Sequence, residues 1–459
     1  MKLYQSKIFV TFFSLLLFSF YGCVPPEQGN TNTGANINTN AQNTTVATNT
    51  NVAKPAENTE AALAMPVTLP VLDAMFSDEQ FAADLKTKLQ LSDEQIQKLK
   101  QLSGEAVRNL NDDETDNYSG STRAETERAN KEIRQMLGEE KANKFFELVR
   151  QRWEGGENGT GTNTTFASAK PNSLPTDSRV VVNAPAYRMD VFQDGKLVKT
   201  YKIGIGYPEF PLPKGVRKAS NIIFNPTWTP PDEPWVKGKI KAGEKIEAGS
   251  KLNPLGTLKI PIGLPSLIHG GKSAARLGNF ASHGCVGLTN SQVKDFALEL
   301  AKLTGTELTT QDIANYEKQK TETKDVKLKT PVQVELRYET IVVENGVLKI
   351  YRDVYERDTN TEENLRRVLE AYGISLDSLS AEERENILNG LRQMASDAKG
   401  NPVDGSTNAN SNTTALNNKN ANSNSGAVTK NVKGKKEVTF QIAAMQGKGY
   451  PAPVNLVSQ

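Results

Sequence analysis

Three stretches of this chain have almost nothing to bury, and they dictate how the rest of it can fold. Residues 30–51 are almost wholly Asn, Thr, Ala and Gln; Gly155–Thr165 is rich in Gly, Asn and Thr; Asn401–Val428 is dominated by Asn, Ser and Thr. Apolar surface this sparse cannot outweigh the entropy of ordering the backbone, so each stretch reads as a tether or linker. The 459 residues are thereby divided into separate foldable pieces. The expected division is a signal peptide at 1–23, a disordered tether at 24–66, a helical module at 67–153 and a linker at 154–177. A β-rich domain at 178–358, a helical hairpin at 359–397, a second linker at 398–434 and an unassigned C-terminal segment at 435–459 complete it.

Lys2 and Lys7 precede an apolar run from Ile8 to Phe20. That run is shorter than the roughly 20 residues a spanning helix needs, and suits the core of an export signal. It ends in Phe20-Tyr21-Gly22-Cys23, which resembles a bacterial lipobox, with Phe20 where Leu is commoner and a bulky Tyr21. The resemblance implies an exported lipoprotein, held to a membrane through acylated Cys23 and facing the periplasm or cell wall. The plainer alternative is an ordinary signal peptide with an incidental cysteine. No later segment reaches transmembrane length.

Within the first module, Ser77-Asp-Glu-Gln80 and Ser92-Asp-Glu-Gln95 have the form of capping boxes. Ile96, Leu99 and Leu102 follow at helical spacing, and Ile133, Leu137, Phe145 and Val149 mark a helix pair broken near Gly138. From Arg179 the period changes to that of strands. Val180–Val182, then Tyr187, Met189 and Val191, lead to the turn pair Asp194-Gly195 and a return strand, Leu197–Ile203. A second hairpin is expected at Val332–Val343, Asn345-Gly346 and Leu348–Val354. One helix lies between them, capped by Asn290 or Ser291, buried through Val293, Phe296, Ala297 and Leu300, and ended by Gly305. Many short strands with few helices predict a mainly β domain, a sandwich or barrel, flanked by small α-helical modules. Further helices are expected around Leu365, Val368 and Leu369, and after the Ser380–Glu383 cap around Ile387 and Leu391. Val438–Ala444 has strand character without an evident partner.

The 55 basic and 53 acidic side chains nearly cancel, so the composition gives no electrostatic reason to bind nucleic acid. Only two cysteines, Cys23 and Cys285, and two histidines, His269 and His283, are present. That excludes a disulfide scaffold or a zinc ribbon. Three of the four gather in His269-Gly270 and Ser282-His283-Gly284-Cys285, with His269 placed 16 residues before Cys285. An imidazole near a thiol can take its proton, giving a nucleophilic thiolate. Gly284 admits a substrate to the backbone, and the N–H groups around Gly284 and Cys285 can face a developing oxyanion. The combination suits acyl transfer from a peptide or amide. A buried, inert cysteine is the bland alternative; clustering of both histidines around Cys285 argues against it. Zinc held by two His and one Cys is disfavoured because no adjacent acidic residue supplements the set. No metal and no cofactor are expected.

Together these residues resemble the signature of the L,D-transpeptidase catalytic domain, the YkuD family. The resemblance covers roughly Ser178–Asp358 and includes Tyr187–Gly195, Asn225-Pro-Thr-Trp228 with Pro230-Pro231, Asn253-Pro-Leu-Gly256 and Asp353-Val-Tyr355. It implies a β-sandwich-like fold with the cysteine on a loop beside a short helix. Cys285 would attack a peptidoglycan stem peptide ahead of its terminal D-Ala and form a thioester, which a neighbouring stem's amine would resolve as a 3→3 crosslink. His269 would be the base, oriented by a backbone carbonyl near Gly270. His283, Gly284 and Cys285 would donate to the oxyanion, and Ser282 and His283 would shape the acceptor side or serve structure alone. Carbapenems would acylate the thiolate.

Two departures bear on substrate preference: Gly287 stands where the family usually has Arg, and Leu212-Pro-Lys-Gly215 replaces Thr-Pro-x-Gly. Lys272 and Arg276 are the nearby candidates for the missing charge. Release of the acyl group to water, its transfer to an envelope protein, or a non-catalytic lipoprotein that only binds peptidoglycan remain the alternatives.

Overall fold

The helical periodicity of the first module is realised in five helices: α1 (Leu69–Met75), α2 (Glu79–Leu89), α3 (Asp93–Val107), α4 (Thr122–Leu137) and α5 (Glu139–Gly155). A two-residue strand, β1 (Leu110–Asn111), follows α3. The structure, a computed structural model, describes residues 64–76, 78–107, 110–111, 122–155, 170–230, 243–263, 266–403 and 426–454. Cys23, the expected signal peptide and residues 30–51 lie outside the described residues. Ser92 and Gln95 form the capping box ahead of α3, each side chain bonded to the other's backbone N–H at 3.2 and 3.0 Å. Helix α2 starts one residue later than Ser77 implies, and Asp78 is its cap, accepting from the Gln80 N–H at 2.9 Å. Gly138, at φ +76°, makes the break between α4 and α5. Ile96, Leu99, Ile133, Leu137, Phe145 and Val149 are all in the module's core, while Leu102 is half-buried.

The β-rich part contains β2 (Arg179–Asn183), β3 (Arg188–Gln193), β4 (Lys196–Lys202), β5 (Ile205–Gly206) and β6 (Gly215–Phe224). It continues with β7 (Leu258–Pro261), β8 (Leu267–His269), β9 (Phe280–Ser282) and β10 (Val286–Gly287). Helices α6 (Asn290–Thr304) and α7 (Thr310–Lys318) then precede β11 (Lys324–Arg337). Asp194 and Gly195 both have positive φ, as a two-residue turn with the right twist requires. Eight strands form one mixed sheet in the order β10-β8-β7-β6-β11-β2-β3-β4, and β5 pairs with β9 in a separate parallel ladder. Helix α6 lies against β7 and β11, with Val293, Phe296, Ala297 and Leu300 fully buried and Gly305 at its C-cap. This is the mainly β class with a packed helix. The α6 cap is Thr289, in a capping box with Gln292, rather than Asn290 or Ser291. That leaves the Asn290 side chain available to other loops.

The second hairpin is also realised differently from its sequence pattern. Val332–Arg337 is the end of β11 and completes the large sheet between β6 and β2. The turn at Asn345-Gly346 instead joins β12 (Ile341–Glu344) to β13 (Val347–Tyr351). Downstream come α8 (Glu362–Ala371), α9 (Ala381–Met394), the short β14 (Gly426–Ala427) and β15 (Glu437–Gln441). β15 adds to β13, giving a three-stranded sheet β12-β13-β15, and β14 pairs with β1. Leu365, Leu369, Ile387 and Leu391 from the two helices share a core with Leu348, Ile350 and Ile442. Phe440 packs so closely on Gly390 that a Cβ there would lie 2.9 Å from ring atom Cε2. The helical hairpin and the C-terminal strand thus cover one sheet together. Alternating hydrophobicity marks a strand but does not name its partner.

Asp353 fastens this second layer to the first. Fully buried, its carboxylate accepts from Tyr338 Oη at 2.6 Å and from the backbone N–H groups of Arg357 at 3.0 Å and Thr359 at 3.2 Å. Tyr338 stacks on Tyr355, whose hydroxyl donates to the Gly206 carbonyl at 2.8 Å. Replacing Asp353 by Ala strands three donors in the interior. Asp353→Ala is expected to lose about 3–5 kcal/mol of stability in urea denaturation, and Asp353→Asn clearly less. Equal losses for the two variants would contradict this hydrogen-bond account.

Candidate active site

His269 is the last residue of β8, and β10 lies beside it in parallel register, with Val286 opposite Ile268 and Gly287 opposite His269. This pairing brings the Cys285 loop alongside the histidine. The His269 ring is buried, and its Nδ1 lies 2.7 Å from the Gly270 carbonyl oxygen. A carbonyl can only accept, so Nδ1 carries the hydrogen and Nε2 is left as the acceptor. The chain can turn sharply after His269 because glycines crowd there. A Cβ on Gly270 would fall 2.6 Å from Asn290 Oδ1 and 2.8 Å from Val293 Cγ1. The same Asn290 oxygen accepts from the backbone N–H groups of Gly271 at 2.8 Å and Thr257 at 3.1 Å. Asn290 therefore ties the Gly256 turn, the histidine loop and the start of α6 into one unit. Gly256 closes the Asn253-Pro-Leu-Gly256 landmark against Gly270 and Gly271, and leaves no room for a side chain.

Cys285 sits half-buried between β9 and β10. Ser282 shapes its loop: the buried hydroxyl donates to the Cys285 carbonyl at 2.6 Å and accepts from the Cys285 N–H at 3.0 Å. The Cys285 N–H is thus engaged. Gly284, at φ +88°, turns the loop, and its carbonyl accepts from Ser266 Oγ at 2.8 Å. Its N–H has no hydrogen-bond partner among the described residues. Of the His283, Gly284 and Cys285 donors expected to face an oxyanion, Cys285 is bonded to Ser282, while Gly284 has no partner among the described residues. Beneath the loop, Gly204 and Gly287 exchange two backbone hydrogen bonds at 2.8 and 2.9 Å, and Tyr207 N–H donates to Ser282 O at 2.9 Å. A Cβ on Gly206 would lie 3.2 Å from Gly284 N and collide with the Phe210 carbonyl. The His283 ring is half-buried and meets Tyr207 and Phe210 edge-on, with centroids 5.0 and 4.7 Å away.

The electrostatics set the resting protonation. Burial depresses His269 to about 3, Lys272 adds to the effect, and the Gly270 and Leu255 carbonyls oppose it. Burial raises the Cys285 thiol above its ordinary value, opposed by the Leu267 backbone, Lys272 and Lys259. Both groups are therefore neutral at pH 7. No hydrogen bond joins Cys285 to the His269 ring among the described residues. The thiolate–imidazolium pair that proximity suggests is disfavoured here because neither charge keeps its hydration. His283 is likewise depressed to about 3, first by burial and then by Lys272. Among the described residues no group of three or more His, Cys, Asp and Glu side chains is arranged to hold a metal ion. Sequence reasoning missed two contributors. Asn290 was legible only as a helix cap, and Lys259, on β7 opposite His269, carries no sequence signal because strand register alone places it.

Residues 177–334 match the family model described as L,D-transpeptidase catalytic domain. A putative L,D-transpeptidase, YqjB, of Bacillus subtilis (strain 168) is 28% identical over 128 residues, which is 27% of this chain. The chain spans 65% of that relative's length. Among solved structures, the catalytic domain of E. faecium L,D-transpeptidase is 17% identical, with 36% of this chain and 100% of that one covered and a TM-score of 0.22. L,D-transpeptidase 3 from Mycobacterium tuberculosis, solved with a faropenem-derived adduct, is 15% identical, with 34% and 59% covered and a TM-score of 0.21. The family-model match at residues 177–334 and the curated relative both point to the YkuD family of L,D-transpeptidase catalytic domains, the family whose signature the sequence resembles.

Proposed function

We propose that this chain is a peptidoglycan L,D-transpeptidase that works through a thioester on Cys285. The arrangement that supports the reading best is His269 at the end of β8 with Cys285 just before the paired β10, beside a Gly284 N–H that has no hydrogen-bond partner among the described residues. Substrate displaces water from the site, and His269 Nε2 takes the thiol proton as sulfur attacks the carbonyl ahead of the terminal D-Ala. The Gly284 N–H donates to the oxyanion. Collapse breaks the C–N bond; the imidazolium returns its proton to the departing D-Ala amine, leaving the thioester. The side-chain amine of a second stem then attacks the thioester, losing a proton to His269, and Cys285 departs as the thiol. The product is a 3→3 crosslink. Ser282 holds the nucleophile's loop, and the Gly270 carbonyl keeps the His269 ring in its reactive tautomer. The reaction needs neither metal nor cofactor. Acylated Cys23 would anchor the enzyme to a membrane, and the polar tether would give the catalytic domain reach toward the wall.

A carbapenem should add its own mass to the intact protein, with Cys285→Ala unlabelled. Absence of the adduct on wild type sinks the catalytic reading. Incubation with disaccharide-tetrapeptide should give crosslinked dimer; accumulation of tripeptide alone would identify a carboxypeptidase, and a protein adduct would identify wall attachment. His269→Ala is expected to slow acylation by about two to four orders of magnitude, the usual contribution of a positioned base.

The pH dependence follows from the resting state. Because burial raises the thiol, the thiolate fraction at neutral pH is small, so ultraviolet difference spectra of wild type against Cys285→Ala should show no thiolate band from about pH 6 to 8. Acylation by the neutral thiol with neutral His269 as base should be flat across that range, because neither group changes protonation there. A thiolate band at neutral pH would refute the neutral resting state. Anchoring is tested separately: Cys23→Ser should move the protein from the membrane to the soluble fraction of cells, and unchanged partitioning would rule the anchor out.

A further inference from the structure

Gly287 stands where the sequence resemblance implies an Arg, and the fold shows what occupies the space. In the large sheet, β7, β8 and β10 are adjacent, and Lys259, His269 and Gly287 are register partners across them. Register partners project from the same face of a sheet. The row therefore consists of a lysine, the histidine and a residue with no side chain. The gap is filled from elsewhere. A Cβ on Gly287 would meet Lys272 Cγ at 2.8 Å, Cε at 3.1 Å and Cδ at 3.4 Å. The Lys272 stem thus lies along the bare backbone of residue 287, and its own N–H is fixed to the Leu288 carbonyl at 3.1 Å. Arg276, the other candidate, is turned elsewhere: its Nη2 donates to Tyr207 Oη at 3.1 Å.

We propose that Lys272, laid over Gly287, is the cation of this active site, and that Lys272 and Lys259 flank His269 as a pair that receives the carboxylate of an anionic acyl donor. The proposal deepens the transpeptidase reading, since a stem peptide's leaving D-Ala carries a free carboxylate beside the scissile bond. Lys272 and Lys259 are both half-buried, and both favour charge on Cys285 while disfavouring it on His269. That is the field a carboxylate-bearing donor and a developing thiolate both need. Gly287 is then a requirement rather than a loss, because any side chain there would displace the lysine.

Two small alkylating probes of Cys285 separate this charge from the acyl-transfer chemistry: anionic iodoacetate and neutral iodoacetamide. In wild type at low salt, the iodoacetate-to-iodoacetamide rate ratio should exceed that of a free thiol. Lys272→Gln should lower the ratio about five- to tenfold, as loss of one partly screened charge near the thiol implies, and high salt should shrink the difference. Lys272→Arg should preserve the ratio, and the double variant Lys272→Ala/Gly287→Arg should restore it, with thermal melts showing that each variant folds. An unchanged ratio in a folded Lys272→Gln protein would overturn the assignment. So would failure of both cationic variants to retain the preference. Carbapenem acylation provides the independent reading. A wild type that prefers iodoacetate but never takes up carbapenem would leave the lysine assignment standing and remove the transpeptidase. Carbapenem uptake without any preference for the anionic probe would do the reverse.

Discussion

The geometry of the site depends on one close approach of backbone to backbone. Residues 204–206 run directly beneath the loop that carries Cys285, bonded at Gly204–Gly287 and Tyr207–Ser282 and touching at Gly206–Gly284. Side chains at these positions would push the two segments apart, so glycine is required for steric reasons as well as for the left-handed turn at Gly284. With the loop held flat, Ser282 can close it, Cys285 falls between β9 and β10, and the Gly284 N–H is left without a partner among the described residues. The support extends outward, since Gly206 receives the Tyr355 hydroxyl and Tyr355 stacks on Tyr338, which is held by Asp353.

Burial gives this rigid loop a particular chemistry. A thiol and an imidazole withdrawn from water prefer to stay neutral, and the two lysines only partly offset that preference for the thiol. Such a nucleophile is quiet at rest. In the proposed reaction it would become reactive when substrate supplies an electrophile whose oxyanion a backbone N–H can meet, so that proton transfer and attack proceed together. The same restraint protects the thiol from oxidation, because oxidation also proceeds through the thiolate.

The helical module and the C-terminal run are fastened to the segments that frame the site. Thr68 donates to the Glu209 carbonyl at 2.7 Å, and the buried Glu209 carboxylate accepts from Thr429 Oγ1 at 2.7 Å. Glu209 adjoins Phe210, which meets the His283 ring. From β6, Arg217 reaches the Trp153 carbonyl at the end of α5, and Lys436 Nζ donates to Gly278 O and Asn279 Oδ1 just before β9. The modules flanking the catalytic domain are therefore part of one polar framework around the cysteine loop.

The sequence alone was enough for whatever is encoded locally. Period-2 runs ending in Asp194-Gly195 and Asn345-Gly346 specify hairpins because those pairs adopt the positive φ values the turns need. Ser92–Gln95 and Ser380–Glu383 cap helices through bonds closed within four residues. The rarity of Cys and His marks out Cys285 and His269 without reference to any fold. Tertiary structure decided what depends on distant partners: β11 belongs to the large sheet, β15 finds β13, and the Asn290 side chain ties two loops to the start of α6 instead of capping it. It also placed Lys259 and Lys272 on either side of His269, for register and close packing are relations between segments that no single segment carries. The resting charge of the site belongs to that second class, because burial exists only once the chain has folded.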